Sequence, residues 1–124
     1  MLASARLQTI ICTSRMQQAE RFYGEVLALP MKRRSHGGVI YDVGGGDLLV
    51  APVRDWQPSG HTAVGFSVAD LDQTMKALSE RGLRFERIAQ LPQNDAGVLL
   101  TPWGARVAWI RDPDGNFLSI VQYA

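Results

Sequence analysis

The order of predicted secondary structure occurs twice along the chain, and this internal repeat restricts the available folds more than any other feature. The first half predicts a strand, a helix and three more strands, at 6–13, 15–27, 30–35, 38–43 and 47–53. The second half predicts the same order at 62–68, 70–82, 83–89, 105–111 and 117–123. We therefore expect an α+β fold with two βαβββ modules, about 5–53 and about 61–124, in one domain of residues 1–124.

The helix predictions depend on apolar side chains that recur at steps of three and four residues. In the first helix these residues are Met16, Ala19, Tyr23, Val26 and Leu27. In the second they are Leu71, Met75 and Leu78. Ser14 with Gln17 has the spacing of a capping box, and Asp70 with Gln73 has the spacing of an N-terminal cap. Each module thus has one helix with one apolar stripe.

One helix covers only one face of a four-stranded sheet, so two such modules are expected to bury their other faces against each other. The result would be an incomplete barrel around a cavity lined by alternate strand residues, which is a typical ligand site. The segment 54–60 has the composition of a linker, and the segment 90–104 is expected to be a long binding loop.

Composition excludes several function classes. The formal net charge is +1, and the longest basic run is Lys32–Arg34, which is too little for a nucleic-acid interface. Cys12 is the single cysteine, so no intramolecular disulfide forms and a reducing compartment is expected. No signal-peptide pattern begins the sequence, and no apolar run approaches the ~20 residues of a membrane helix. We expect a soluble, cytoplasmic protein without nucleic-acid or membrane partners.

Three motifs resemble one known superfamily. They are "RFYGEVLAL" at 21–29, "GFSVADLD" at 65–72 and "PWGARVAWIRDPDGNFLSIVQ" at 102–122. Together with the repeated βαβββ order, they resemble the vicinal oxygen chelate superfamily, which includes glyoxalase I, extradiol dioxygenases, and the fosfomycin- and bleomycin-resistance proteins. The resemblance implies the barrel-like fold given above, and it implies a homodimer because members commonly pair.

The resemblance also implies where a metal would lie. Catalytic members hold a divalent ion with His, Gln or Glu at four inward-facing strand positions, which correspond here to Gln8, Val50, Ala63 and Ser119. Val50 and Ala63 have no donor atom and Ser119 is a poor neutral ligand, so we expect no metal and no cofactor. If the strand register is offset by two residues, His61 faces the cavity instead.

Aromatic side chains are the second group of candidates. Binding members of the superfamily stack planar molecules between loop aromatics, and Tyr41, Trp56 and Trp103 suit that role. Trp103 has a structural alternative as part of the "WG" turn, and Trp109 is expected to pack in the sheet. The predicted ligand-binding residues are Gln8, Tyr41, Trp56, His61, Trp103 and Ser119.

The expected function is metal-free binding of a small molecule, in the manner of glyoxalase/bleomycin-resistance proteins, with sequestration of an apolar or aromatic compound. The alternative is a glyoxalase- or dioxygenase-like enzyme, a lyase or oxidoreductase, with a degenerate or unusual metal site or with His61 as a general base. A third interpretation is a structural or regulatory module whose cavity is filled by its own side chains. The expected partners are a small-molecule ligand and a second copy of the chain.

Overall fold

A computed structural model describes residues 1–124, which divide into two compact units, Met1–Gln57 and Pro58–Ala124. The boundary falls inside the predicted linker. The elements of the first unit are β1 (Gln8–Thr13), α1 (Met16–Glu20), β2 (Met31–Ser35), β3 (Gly38–Val43) and β4 (Gly46–Pro52). Those of the second unit are β5 (Thr62–Ser67), α2 (Leu71–Glu80), β6 (Leu99–Leu100), β7 (Arg106–Arg111) and β8 (Phe117–Gln122). Each unit has the order βαβββ, which confirms the predicted repeat and the α+β class.

The first sheet has the strand order β1-β4-β3-β2, with β1 parallel to β4 and the other pairs antiparallel. The sheet is open, since its outer strands do not pair with each other. Its register pairs Val50 with Ile11 on one side and with Val39 on the other, so these three side chains share one face. All three are at most 2% exposed. Burial of each side chain contributes on the order of 1.5–3 kcal/mol to folding.

A helical segment covers this face. Directly after α1 the chain forms a π-helical stretch, Arg21–Val26, in which the Leu27 amide donates to the Phe22 carbonyl at 2.8 Å. The wider turn accommodates the two buried rings of Phe22 and Tyr23, whose centroids lie 5.0 Å apart in an edge-to-face arrangement. The helical stretch 16–26 agrees with the predicted helix.

The predicted capping box at the start of this helix is wrong. Arg15 is the N-cap residue and no side chain caps the helix. The hydroxyl of Thr13, at the end of β1, instead accepts a hydrogen bond from the Arg15 amide at 2.9 Å. The turn into the helix is therefore held by the buried Thr13, one residue before Ser14, which was the predicted cap.

The second sheet has the order β5-β8-β7-β6, with β5 parallel to β8. The predicted cap of α2 is confirmed, because the Asp70 carboxylate accepts a hydrogen bond from the Gln73 amide at 3.0 Å. The Leu71 amide donates to the Gln122 side chain of β8 at 2.8 Å, which joins the helix to the sheet. The buried residues of α2 are those predicted, Leu71, Met75 and Leu78. No helix of the structure has both the length and the apolar character needed to cross a membrane.

The strand predicted at 83–89 is wrong. The corresponding strand of the second unit is β6, which lies inside the segment predicted to be a loop. The Gln93 side chain accepts from the Ile88 amide at 2.8 Å and donates to the carbonyls of Glu86 and Gly97 at 3.0 and 2.7 Å. The Gln93 side chain therefore forms hydrogen bonds to backbone groups that would bond to a neighbouring strand if this segment were part of the sheet.

Ala28 closes the helical segment in a left-handed conformation, with φ of 58°. A Cβ atom costs about 1–2 kcal/mol in this conformation, whereas glycine adopts it freely. We expect Ala28→Gly to raise the free energy of unfolding by about 1 kcal/mol, measured by urea denaturation. The control Ala77→Gly makes the same change inside α2 and is expected to lower it by about 1 kcal/mol. Destabilisation by both variants would contradict the strain assigned to Ala28.

Candidate functional site

The uncovered face of the second sheet brings small and aromatic side chains together. Cross-strand pairing places Ser119 between Gly65 of β5 and Trp109 of β7, so the three residues share one face. Ala108, Ile110, Leu118 and Ile120 lie on the other face and are buried. We call the uncovered residues the second open face; they are Thr62, Gly65, Ser67, Leu99, Val107, Trp109, Arg111, Phe117, Ser119 and Val121. All of them are half-buried or exposed.

The side chains beside Trp109 are short. A Cβ atom built on Gly65 would lie 3.0 Å from the Ser119 hydroxyl oxygen, so a larger residue at position 65 would fit only if the serine side chain moved. Gly65 of β5 and Ser119 of β8 have short side chains, so the surface next to the indole is flat and contains one hydroxyl group, that of Ser119. This arrangement suits a flat apolar group that contacts the indole and forms a single hydrogen bond.

The uncovered face of the first sheet is more aliphatic. Gln8, Ile10 and Cys12 of β1 pair with Asp47, Leu49 and Ala51 of β4, and Leu49 pairs in turn with Ile40 of β3. We call this set the first open face; its members are Gln8, Ile10, Cys12, Ile40, Asp47, Leu49 and Ala51. Ile10 is 55% exposed. Gln8 is also exposed, on the face away from the helix.

Tyr41 lies on the opposite face from Gln8. It pairs with the buried Leu48, is only 3% exposed, and has its ring centroid 6.2 Å from that of Tyr23. Tyr41 is therefore part of the core between helix and sheet, and its neighbour Ile40 is on the first open face. The same alternation puts Val50 in the core and Leu49 on the face with Gln8.

The remaining predicted residues lie outside the strands. His61 is exposed and lies just before β5. Its backbone amide donates to the Ser59 hydroxyl at 3.2 Å. Trp103 is 73% exposed at the tight turn between β6 and β7. Trp56 is half-buried in the segment after β4, and its contact with a ligand stays a prediction.

Sequence reasoning missed Trp109, although the necessary signal was present. The "DPDG" turn pairs Arg111 with Phe117. If that antiparallel pairing is continued by two residues along each strand, Trp109 lies opposite Ser119. An indole at this position belongs to the uncovered face and not to the core.

The metal positions implied by the resemblance do not fit a divalent ion. Gln8 offers an amide and Ser119 a hydroxyl, while Val50 and Ala63 offer no donor atom. Val50 also lies on the opposite sheet face from Gln8. No three His, Cys, Asp or Glu side chains are grouped so that they could hold a metal. Divalent ions in proteins are bound by several imidazole, thiolate or carboxylate ligands, and this donor set lacks them.

The model of the Glyoxalase/Bleomycin resistance protein/Dioxygenase superfamily matches residues 6–120. The chain belongs to this superfamily. This membership confirms the resemblance seen in the motifs of the sequence.

Solved structures with the same fold include lactoylglutathione lyase from Agrobacterium tumefaciens, at 22% identity and a TM-score of 0.72, covering 96% of this chain and 93% of that one. A superfamily member from Sphaerobacter thermophilus is 24% identical with a TM-score of 0.74, covering 98% of this chain and 99% of that one. Another from Alicyclobacillus acidocaldarius is 21% identical with a TM-score of 0.73, covering 97% and 92%. No curated protein sequence matches the chain significantly. Identities this low show the shared fold alone.

The core position of Tyr41 affects its ionisation. Burial raises the pKa of the phenol above its ordinary value of 10.0, and the Glu20 carboxylate raises it further, while Arg34 opposes both effects. Between the ordinary and the raised pKa, the native state binds more protons than the unfolded state. The free energy of unfolding therefore decreases as pH rises through this range.

We expect Tyr41→Phe to reduce the stability lost between about pH 8 and about pH 11, because phenylalanine has no proton to lose. Urea denaturation at both pH values measures the loss. Tyr123→Phe is the control, since Tyr123 is 63% exposed and its removal is expected to leave the loss unchanged. A loss in Tyr41→Phe equal to that of the unchanged protein would show that Tyr41 ionises as an exposed tyrosine does.

Proposed function

We propose that the chain is a metal-independent small-molecule-binding protein of its superfamily, and that it sequesters a planar, apolar compound on the second open face. The observation that supports this most is the position of Trp109 beside Ser119 and Gly65. Because the neighbouring side chains are short, a planar ligand can contact the indole ring without steric clash. Aromatic stacking adds about 0.5–1.5 kcal/mol beyond the burial of apolar area.

The polar content of the second open face narrows the ligand class. Its polar side chains are those of Thr62, Ser67, Ser119 and Arg111, and the Arg111 guanidinium already donates to the Glu86 carboxylate at 2.8 Å. A charged ligand would lose hydration there and would have to compete with this ion pair for a partner. The proposed ligand is therefore neutral and aromatic, with at most a few hydrogen-bonding groups.

We also propose that the protein forms a homodimer. Ile10 is 55% exposed, and Leu49 beside it is only half-buried, so β1 and β4 present apolar area of the first open face to solvent. Exposed apolar patches commonly mark contacts between proteins, and identical chains most often pair about a two-fold axis. A cytoplasmic location belongs to the same proposal, since the single Cys12 forms no internal disulfide.

Binding is testable with N-phenyl-1-naphthylamine, a neutral aromatic probe whose fluorescence rises in apolar surroundings. We expect Trp109→Leu, which keeps apolar bulk but removes the indole, to weaken probe binding by roughly ten-fold. Trp103→Leu is the control, because Trp103 is exposed at a turn away from the second open face. Equal affinities of Trp109→Leu and the unchanged protein would refute the proposed site.

Metal independence and assembly are testable together by native mass spectrometry of untagged protein purified without chelator. We expect the mass of a dimer without a bound divalent ion, because the superfamily's metal positions provide one amide and one hydroxyl. A near-stoichiometric divalent ion would contradict metal independence and favour the lyase or oxidoreductase alternative. A monomer mass at micromolar concentration would contradict the dimer.

A further inference from the structure

Two adjacent cationic residues line the same cavity in the first unit. The cavity has a volume of about 300 Å³ and is lined by Lys32, Arg33, Ile40 and Asp47. Successive side chains of a regular strand point to opposite faces, so Lys32 and Arg33 would normally be separated. The register of β2 shifts here, because Met31 pairs with Tyr41 whereas Arg33 pairs with the adjacent Ile40. This bulge in an edge strand lets both cations face the cavity.

The charges around the cavity leave a positive surplus. The Asp47 carboxylate accepts from Lys32 Nζ at 2.6 Å and from the Arg6 guanidinium at 3.2 Å, and Arg6 also donates to the Gly45 carbonyl. Two cations therefore share this carboxylate and keep its pKa below the ordinary value, and Asp42, opposite Asp47 on β3, is the other carboxylate near Arg6. Arg33 has no carboxylate partner in the structure. An anion that enters the cavity would find Arg33 free and Lys32 only partly neutralised.

An apolar surface adjoins these cations. Ile40 lines the cavity and lies next to Leu49, which in turn pairs with Ile10 across the first open face. A ligand with a charged end and an apolar body would therefore be matched at both ends. Arginine suits a carboxylate in particular, since its planar guanidinium donates two parallel hydrogen bonds to the two oxygens.

We propose that this cavity binds a small carboxylic acid anion, with the carboxylate on Arg33 and Lys32 and the apolar body on Ile40. The site shares no residue with the second open face, because all four residues that line it belong to the first unit. It is an anion site of a size that takes a small organic acid. The two proposals therefore stand or fall independently.

Arg34 provides a matched control. It is the next residue along β2, carries the same charge, and pairs with Glu20 at 2.5 Å. Its partner in the register is Val39, which belongs to the core face of the sheet. Replacing either arginine by glutamine removes one positive charge, but only Arg33→Gln removes it from the cavity.

The test is an NMR titration of the full chain with benzoate at low ionic strength, and with benzamide as the neutral analogue of the same shape. We expect benzoate to shift the amide resonances of Lys32, Arg33, Ile40 and Asp47, and benzamide to bind much more weakly. We expect Arg33→Gln to weaken benzoate binding about ten-fold, since a hydrogen-bonded charge is lost. Arg34→Gln should bind as the unchanged protein does, and its spectrum also reports on folding.

Four results would overturn the proposal. The first is no benzoate-dependent shift at these four residues, and the second is equal affinity for benzoate and benzamide. The third is equal weakening by Arg33→Gln and Arg34→Gln, which would show only a general effect of net charge. Trp109→Leu should keep the affinity for benzoate even if it abolishes binding of the aromatic probe. Loss of benzoate binding in Trp109→Leu would place the anion on the second open face and refute the Arg33 site.

Discussion

A single helix covers only one face of each four-stranded sheet, and this limit determines both the core and the candidate sites. In the first unit the covered face contains Val50, Ile11 and Val39, which are almost fully buried. The next residue along each of these strands lies on the uncovered face. Alternate residues of a strand therefore pack in the core or face solvent and any ligand. The register of pairing determines which residues belong to each face.

This dependence on register explains what the sequence predicted and what it did not. The repeat, the two helices and seven of the eight strands follow from local periodicity, which is strong in this chain. The faces follow from pairing between distant strands, which periodicity does not specify. Tyr41 and Val50 were expected to face the ligand cavity but lie in the core, and the adjacent residues Ile40 and Leu49 lie on the uncovered face instead. Ser119 and Gln8 lie on uncovered faces, and their contact with a ligand stays a prediction.

The observed secondary structure also differs from the prediction where a side chain forms hydrogen bonds to the backbone. Gln93 binds three backbone groups of the segment around 83–98, so this segment is ordered without becoming a strand. Thr13 similarly takes the role expected of Ser14 at the start of the first helix. In both cases an alternating or capping pattern was present in the sequence. A polar side chain nearby in space offered a competing hydrogen bond, and its position depends on the folded structure.

The two open faces differ in chemistry although the two modules share one fold. The second open face has an indole beside serine hydroxyls, and its one cation, Arg111, is paired with Glu86, whereas the first is aliphatic and is bordered by the cations of β2. The difference at the edge arises from one extra residue in β2, because the bulge adds Lys32 to the face that Arg33 already occupies. A superfamily fold whose metal positions lack ligands thus still carries two surfaces of different chemistry. We propose that one selects flat neutral groups by contact area and that the other selects anions by charge.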